Sequence, residues 1–223
     1  MIKPGDFLLG VMDFFAILLP GAIATWVLAT YLPADMQAYV SLGQGGGDVD
    51  PVVRGGVFLL AAYTLGHFVF EVGSWLDPSY DRWRKRTKPT ESDAMFIAAG
   101  RMRKDLMGAH EPASGSASSS GFSTLKWANS YIQIHSPHSR VEIDRLGANS
   151  KFFRSLVPVS IGLSAHLALY EHELWLAVAA LALGAMSYSR YVDQRWKATQ
   201  LTYATVVILH ATKGEGVRLR EDH

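Results

Sequence analysis

The chain has no cysteine among its 223 residues. That absence removes disulfide cross-links, a thiolate nucleophile and every metal site built on sulfur. Net charge is nearly absent as well, at +1 near neutral pH; that balance hides an uneven placement of charge and says little about partners. The familiar patterns of catalysis are also missing. The glycines of Gly43–Gly47 have no Lys-Ser/Thr behind them and no strand–helix context, so they read as an external turn and not a phosphate loop. In "IHSPHS", His135 and His138 stand beside Ser136 and Ser139 without a nucleophile elbow or paired base, and the stretch reads as a helix-breaking connector. Glu171, His172 and Glu173 offer donors to a divalent cation, but three adjacent residues on a tight turn seldom converge, and a polar hairpin is the expectation. No catalytic residue, metal site or cofactor is expected.

What the chain does have is four long apolar runs: Phe7–Leu32, Gly55–Leu76, Phe152–Tyr170 and Leu174–Tyr191. At about 1.5 Å per residue, helices of these lengths cross or nearly cross a hydrocarbon layer about 30 Å thick. One such run fits the core of a large enzyme. Four leave too little polar helix surface for a soluble protein of this size. The expected fold is an all-α integral membrane protein with four transmembrane helices, a mostly helical cytoplasmic loop and a C-terminal extension. The regions are a first transmembrane hairpin (1–76), a cytoplasmic helical region (77–151) with a Ser-rich linker (111–121), a second transmembrane hairpin (152–191) and a cytoplasmic extension (192–223).

Basic residues set the expected orientation. Twelve of the 21 Lys and Arg lie between Asp77 and Lys151, and six more close or follow the fourth run. The segment Pro33–Arg54 has one, and the turn at Glu171–Glu173 none. The positive-inside rule then puts both termini and the middle segment in the cytoplasm of a bacterial-type inner (plasma) membrane. Eight acidic residues share the Asp77–Lys151 segment, which speaks against nucleic acid as a partner. In the first run, "PGAIAT" resembles a signal-peptidase site, but Asp13 interrupts the apolar core and "TWVLATYL" continues beyond it. An uncleaved helix kinked at Pro20 is expected.

Beyond Leu76, Asp77-Pro78 reads as a stop and restart. Arg82, Arg84, Lys85 and Arg86 are expected at the membrane surface, where they would meet anionic headgroups. Thr90 and Asp93 resemble a capping box opening a helix over 91–107. A further helix is expected over 122–134. The rod continuing the fourth run is expected to reach about Leu201, and 203–210 is open to helix or strand. Gly10, Gly21, Gly66, Gly162 and Gly184 are candidates for close helix contact.

Orientation gives the intramembrane polar residues a depth. Counting about 1.5 Å per residue, Asp13 lies about 9 Å in, Glu71 about 8 Å and His67 about 14 Å. Arg154 and Arg190 fall on the same side. Asp13, His67, Glu71, Arg154 and Arg190 thus come from all four runs and share the cytoplasmic half. Such groups tend to face one another or a water-filled path. The leading expectation is a structural pair, Glu71 with Arg154 or Arg190, with His67 on the same inward face. A proton relay or gate is the next reading, and intramembrane chemistry the third. The function expected is a membrane-embedded scaffold, sensor or effector acting through its cytoplasmic region, with the lipid bilayer, a second copy or a cytoplasmic protein as partner. The alternative is a small ion or proton channel or transporter gated by the charged cluster.

Overall fold

A computed structural model describes residues 4–40, 50–87, 89–107 and 117–221, with side-chain surroundings over 14–40, 50–84, 86, 94–105 and 124–212. The described chain is all helical: α1 (Pro4–Ala29), α2 (Ala34–Val40), α3 (Pro51–Ser74), α4 (Asp77–Thr87), α5 (Pro89–Met107), α6 (Ala117–His135), α7 (Pro137–Leu169) and α8 (Leu174–Glu221). Local signals set several boundaries. Asp50 caps α3, its carboxylate accepting from the Val52 amide at 2.7 Å, with Pro51 in the first turn. Ser136 alone separates α6 from α7, its hydroxyl 2.8 Å from that of Ser139, and Pro137 opens the next helix. Trp75 and Leu76 form a turn, and α4 restarts at Asp77 as expected.

Two boundaries differ from expectation, the start of α6 and the end of α8, and the segment left open is helical. Residues 117–121 of the expected linker belong to α6, while 111–116 and the Thr90–Asp93 side chains lie outside the described residues. The segment 203–210 is helical, and α8 runs unbroken to Glu221. A strand there would have no partner among the described residues, whereas a helix lets Tyr203 and Val206 enter one core three residues apart.

The chain divides into two compact units, each drawn from two stretches: unit 1 is Met1–Tyr80 with Ala148–Gln194, and unit 2 is Asp81–Gly147 with Arg195–His223. In unit 2, Ala99 of α5, Ala128 and Ile132 of α6, Ile143 of α7, and Tyr203 and Val206 of α8 form a buried apolar core. Phe96, Leu125 and Leu209 pack around it. Arg140 ties α7 to α6 by donating to Asn129 at 2.8 Å. This is the ordinary polarity of a water-facing bundle, with large apolar groups inside.

Unit 1 has a different interior. On α1, Ile17 and Gly21 meet Ala62 and Gly66 of the antiparallel α3. A Cβ at Gly21 would overlap the Ala62 carbonyl, and one at Gly66 the Ile17 carbonyl, so the two backbones touch. On α8, Ala177, Ala180, Gly184, Ser187 and Tyr191 form the buried row. That row faces α7, where Ser164 donates to the Ala177 carbonyl at 2.8 Å and Ser160 lies 3.1 Å from where a Gly184 side chain would begin. Gly162 has open space instead, and Gly10 lies outside the described side chains.

With small and polar residues inside, large apolar ones face out. Leu60 is 69% exposed, Phe68 65%, Trp175 79% and Met186 65%. Two stretches are long and apolar enough to cross a membrane by length and composition, Pro51–Arg84 and Pro137–Leu169. Only 17% and 28% of their most apolar windows are buried, unlike core helices of a soluble protein. The other two expected spans do not reach that measure. The described apolar part of α1, Phe14–Ala29, is shorter, and the apolar start of α8 runs into Ser187, Ser189 and Arg190.

Replacing Gly66 by leucine forces α1 and α3 apart. A loss of about 3 kcal/mol is expected, the upper end for overpacking because backbone is struck. Gly162→Leu, in open space, should stay within about 0.5 kcal/mol of the parent. Thermal unfolding in detergent checks both, and equal effects would contradict the packing described.

Candidate functional site

The polar centre of unit 1 forms where α3 ends. The Trp75–Leu76 turn brings Asp77, the first residue of α4, toward α7 and α8. Arg154 of α7 donates through Nη1 to Asp77 Oδ2 at 3.2 Å and Oδ1 at 3.3 Å. Tyr191 of α8 donates its hydroxyl to Asp77 Oδ1 at 2.6 Å. The Arg154 guanidinium also lies over the Phe70 ring, 4.6 Å from its centre, a cation–π contact. Gly73 makes room beside it, its missing side chain being 3.1 Å from the Arg154 carbonyl. Ser79 and Tyr188 add a hydroxyl pair at 2.9 Å, and Tyr80, fully buried, packs on Tyr191.

This arrangement corrects the expected pairing. Arg154 is buried, but its carboxylate among the described residues is Asp77 and not Glu71. Glu71 and His67 are both exposed, and neither side chain has a hydrogen bond or ion pair among the described residues; His67 meets only the edge of Tyr63, at 4.8 Å. The reason is helical phase. Gly73, which faces Arg154, is two residues from Glu71, and so about 200° around the helix. Arg190 is exposed on α8 without an ion pair among the described residues, and the Asp13 side chain lies outside them. Among the described residues, His67, Glu71 and Arg190 are therefore not brought together with Arg154.

Of the basic stretch, Arg82 and Arg86 are exposed and Arg84 is half-buried, while the Lys85 side chain lies outside the described residues. Arg84 sits near enough to Tyr203 in unit 2 for its charge to oppose the burial that raises the Tyr203 phenol above its ordinary value.

A second polar group in unit 1 escaped the sequence reading. His166, on the last turns of α7, is only 4% exposed. Its Nδ1 lies 2.7 Å from the Tyr31 hydroxyl, and its Nε2 lies 3.7 Å from Glu171, too far for a direct hydrogen bond. Trp26 and Tyr170 close around the ring. The signal was available, since His166 interrupts an apolar run as His67 does. Its neighbours Glu171, His172 and Glu173 are exposed on the hairpin turn, where His172 takes a left-handed φ of 55°. No group of three or more metal-ligating side chains occurs among the described residues.

Comparison with protein-family models, with curated proteins and with solved structures gave no match for the chain. What stands is a class: an all-α protein with two long apolar helices able by length and composition to cross a membrane.

The Asp77 node joins three helices through one carboxylate. Its chemistry is that of a lock, a carboxylate shared by an arginine and a phenol from two other helices. Asp77→Ala should cost unit 1 about 3 kcal/mol, the lower end for a broken buried pair because Asp77 keeps a third of its side chain open. Tyr191→Phe should cost about 1.5 kcal/mol, the loss of one hydrogen bond to a charged group. Unfolding of each variant in detergent, with a double-mutant cycle between Asp77→Ala and Arg154→Met, measures this. Additive losses would contradict the shared node.

Proposed function

We propose that the chain is a multi-pass protein of a bacterial-type inner membrane, with α1, α3, the later part of α7 and the start of α8 as four spanning segments. Unit 2 and both termini lie in the cytoplasm, and the protein works as a scaffold, sensor or effector through unit 2. The observation supporting this reading is the contrast in polarity between the units. Unit 1 exposes Leu174, Trp175, Val178, Leu181, Leu183 and Met186 along one helix, while Thr25, Ser155, Ser187 and Arg154 are buried. In water such a surface would be a large liability. In lipid it is the stable arrangement, with small and polar residues holding the helices together.

The basic residues support the orientation, because Arg82, Arg84 and Arg86 follow directly on the end of α3. A helical module on the same side as those charges, with its own apolar core, is a natural site for protein contact. Conduction gains less support. Asp77, Arg154 and Tyr191 satisfy one another, and His67 and Glu71 lie on the outer face. A relay needs groups that line one path, and these do not.

The absence of native cysteine makes the topology directly testable. Single cysteines replacing Ala34, between α1 and α3, and Ser130, on α6, are treated with a membrane-impermeant thiol reagent in intact cells. Labelling at Ala34→Cys alone is expected, with Ser130→Cys reacting only after lysis. The reverse pattern would invert the orientation, and labelling of both in intact cells would end the spanning assignment.

A further inference from the structure

The outward face of α3 holds a contradiction if that helix spans a membrane. Gly56, Leu60, His67 and Glu71 are all exposed. At 100° per residue they fall within an arc of about 60°. The face toward α1, marked by Ala62 and Gly66, lies on the other side of the helix. Nothing lies within 4 Å of where a Gly56 side chain would begin. Leu60 is 69% exposed, and Tyr63 at the margin of the stripe holds the His67 ring edge-on at 4.8 Å. Neither His67 nor Glu71 has a polar partner among the described residues, and lipid supplies none.

We infer that this stripe docks on the same stripe of a second copy of the chain, pairing His67 of each protomer with the partner's Glu71. The inference rests on the proposed membrane reading of α3, and it goes further by naming an interface. Charge complementarity selects the occupant. The stripe presents one imidazole donor and one carboxylate a single turn apart, so it complements itself under a two-fold axis. Copies with the same topology place their α3 helices parallel. Across a parallel seam, residues four to five positions apart on facing helices approach diagonally, and the two-fold makes the histidine–glutamate pair twice. At the other end of the stripe, Gly56 allows the backbones to come close. The exposed face of α8 behaves otherwise. From Leu174 to Met186 its large exposed side chains are Leu174, Trp175, Leu176, Val178, Leu181, Leu183 and Met186, all suited to lipid.

The test uses the full chain in isolated membranes. Leu60→Cys, on the stripe, and Leu181→Cys, on α8, are each oxidised and run without reductant. A product of twice the chain mass at Leu60→Cys but not at Leu181→Cys is expected. In the Leu60→Cys background, His67→Glu and Glu71→His should each lower that product roughly three- to tenfold, the range for a polar contact between membrane helices. Co-expressing the two variants, each with a distinct tag, should restore it as a heterodimer, because one pair then consists of the native His67 and Glu71 and the other is rebuilt with the two residues exchanged. Four results would overturn the proposal: only monomer at Leu60→Cys, a product containing a different protein, equal cross-linking at Leu181→Cys, or no restoration by the exchanged pair. Alkaline extraction of the same membranes separates the two claims. Chain kept in the membrane without cross-linking at Leu60→Cys defeats the dimer alone, and chain released into solution defeats the membrane reading.

Discussion

Backbone contact between helices is the constraint on which unit 1 depends. Gly21 and Gly66 let α1 and α3 approach until a single added carbon would overlap a carbonyl. The Ala177–Ala180–Gly184–Ser187 row gives α8 a small face toward α7, where Ser160 packs on Gly184 and Ser164 donates to the Ala177 carbonyl. Helices this close leave little room between them for large side chains; Phe58 is buried, but most of the other large apolar groups of unit 1 point outward. A soluble bundle of the same helices would be built the other way, as unit 2 is, with Ile132, Tyr203 and Val206 in its centre.

The polar node belongs to the same logic. Packing through small residues gives little specificity of register, because glycine and alanine faces can slide on one another. Asp77, shared by Arg154 and Tyr191, ties the start of α4 to α7 and α8 at one register. Phe70 and Gly73 shape the space so that the guanidinium lies between an aromatic face and a close backbone. Such a node costs desolvation and returns a unique arrangement. At the far end of α7, His166 with Tyr31 and Glu171 joins the hairpin turn to the end of α1.

Much of this architecture was legible in the sequence. Helical class, the break at Asp77-Pro78, the connector at Ser136-Pro137 and the close contacts of Gly21, Gly66 and Gly184 follow from apolar periodicity and turn chemistry. The site was legible only in part. Arg154 stood out, but its partner did not. Glu71 and His67 drew attention because they are charged within an apolar run and share a face. Their phase relative to Ala62, Gly66 and Gly73 was the information that mattered. Those small residues mark the packed side of α3, and the ionisable pair lies away from it. Asp77 was read only as a helix boundary, because a residue at a turn gives no periodic signal for the direction of its side chain. His166 satisfied the criterion applied to His67, yet its burial depends on Tyr31, 135 positions earlier in the chain. Pairings at that separation are set by tertiary packing.

The proposed placement of the exterior of unit 1 in lipid can be measured directly. Spin labels at Ala180, Leu181, Leu183 and Met186, in the full chain reconstituted into bilayers, report collision with oxygen, which concentrates in lipid, and with a water-soluble nickel complex. The account predicts high oxygen and low nickel collision at Leu181, Leu183 and Met186, with both low at the buried Ala180. High nickel collision at those three outward positions would place them in water and contradict it.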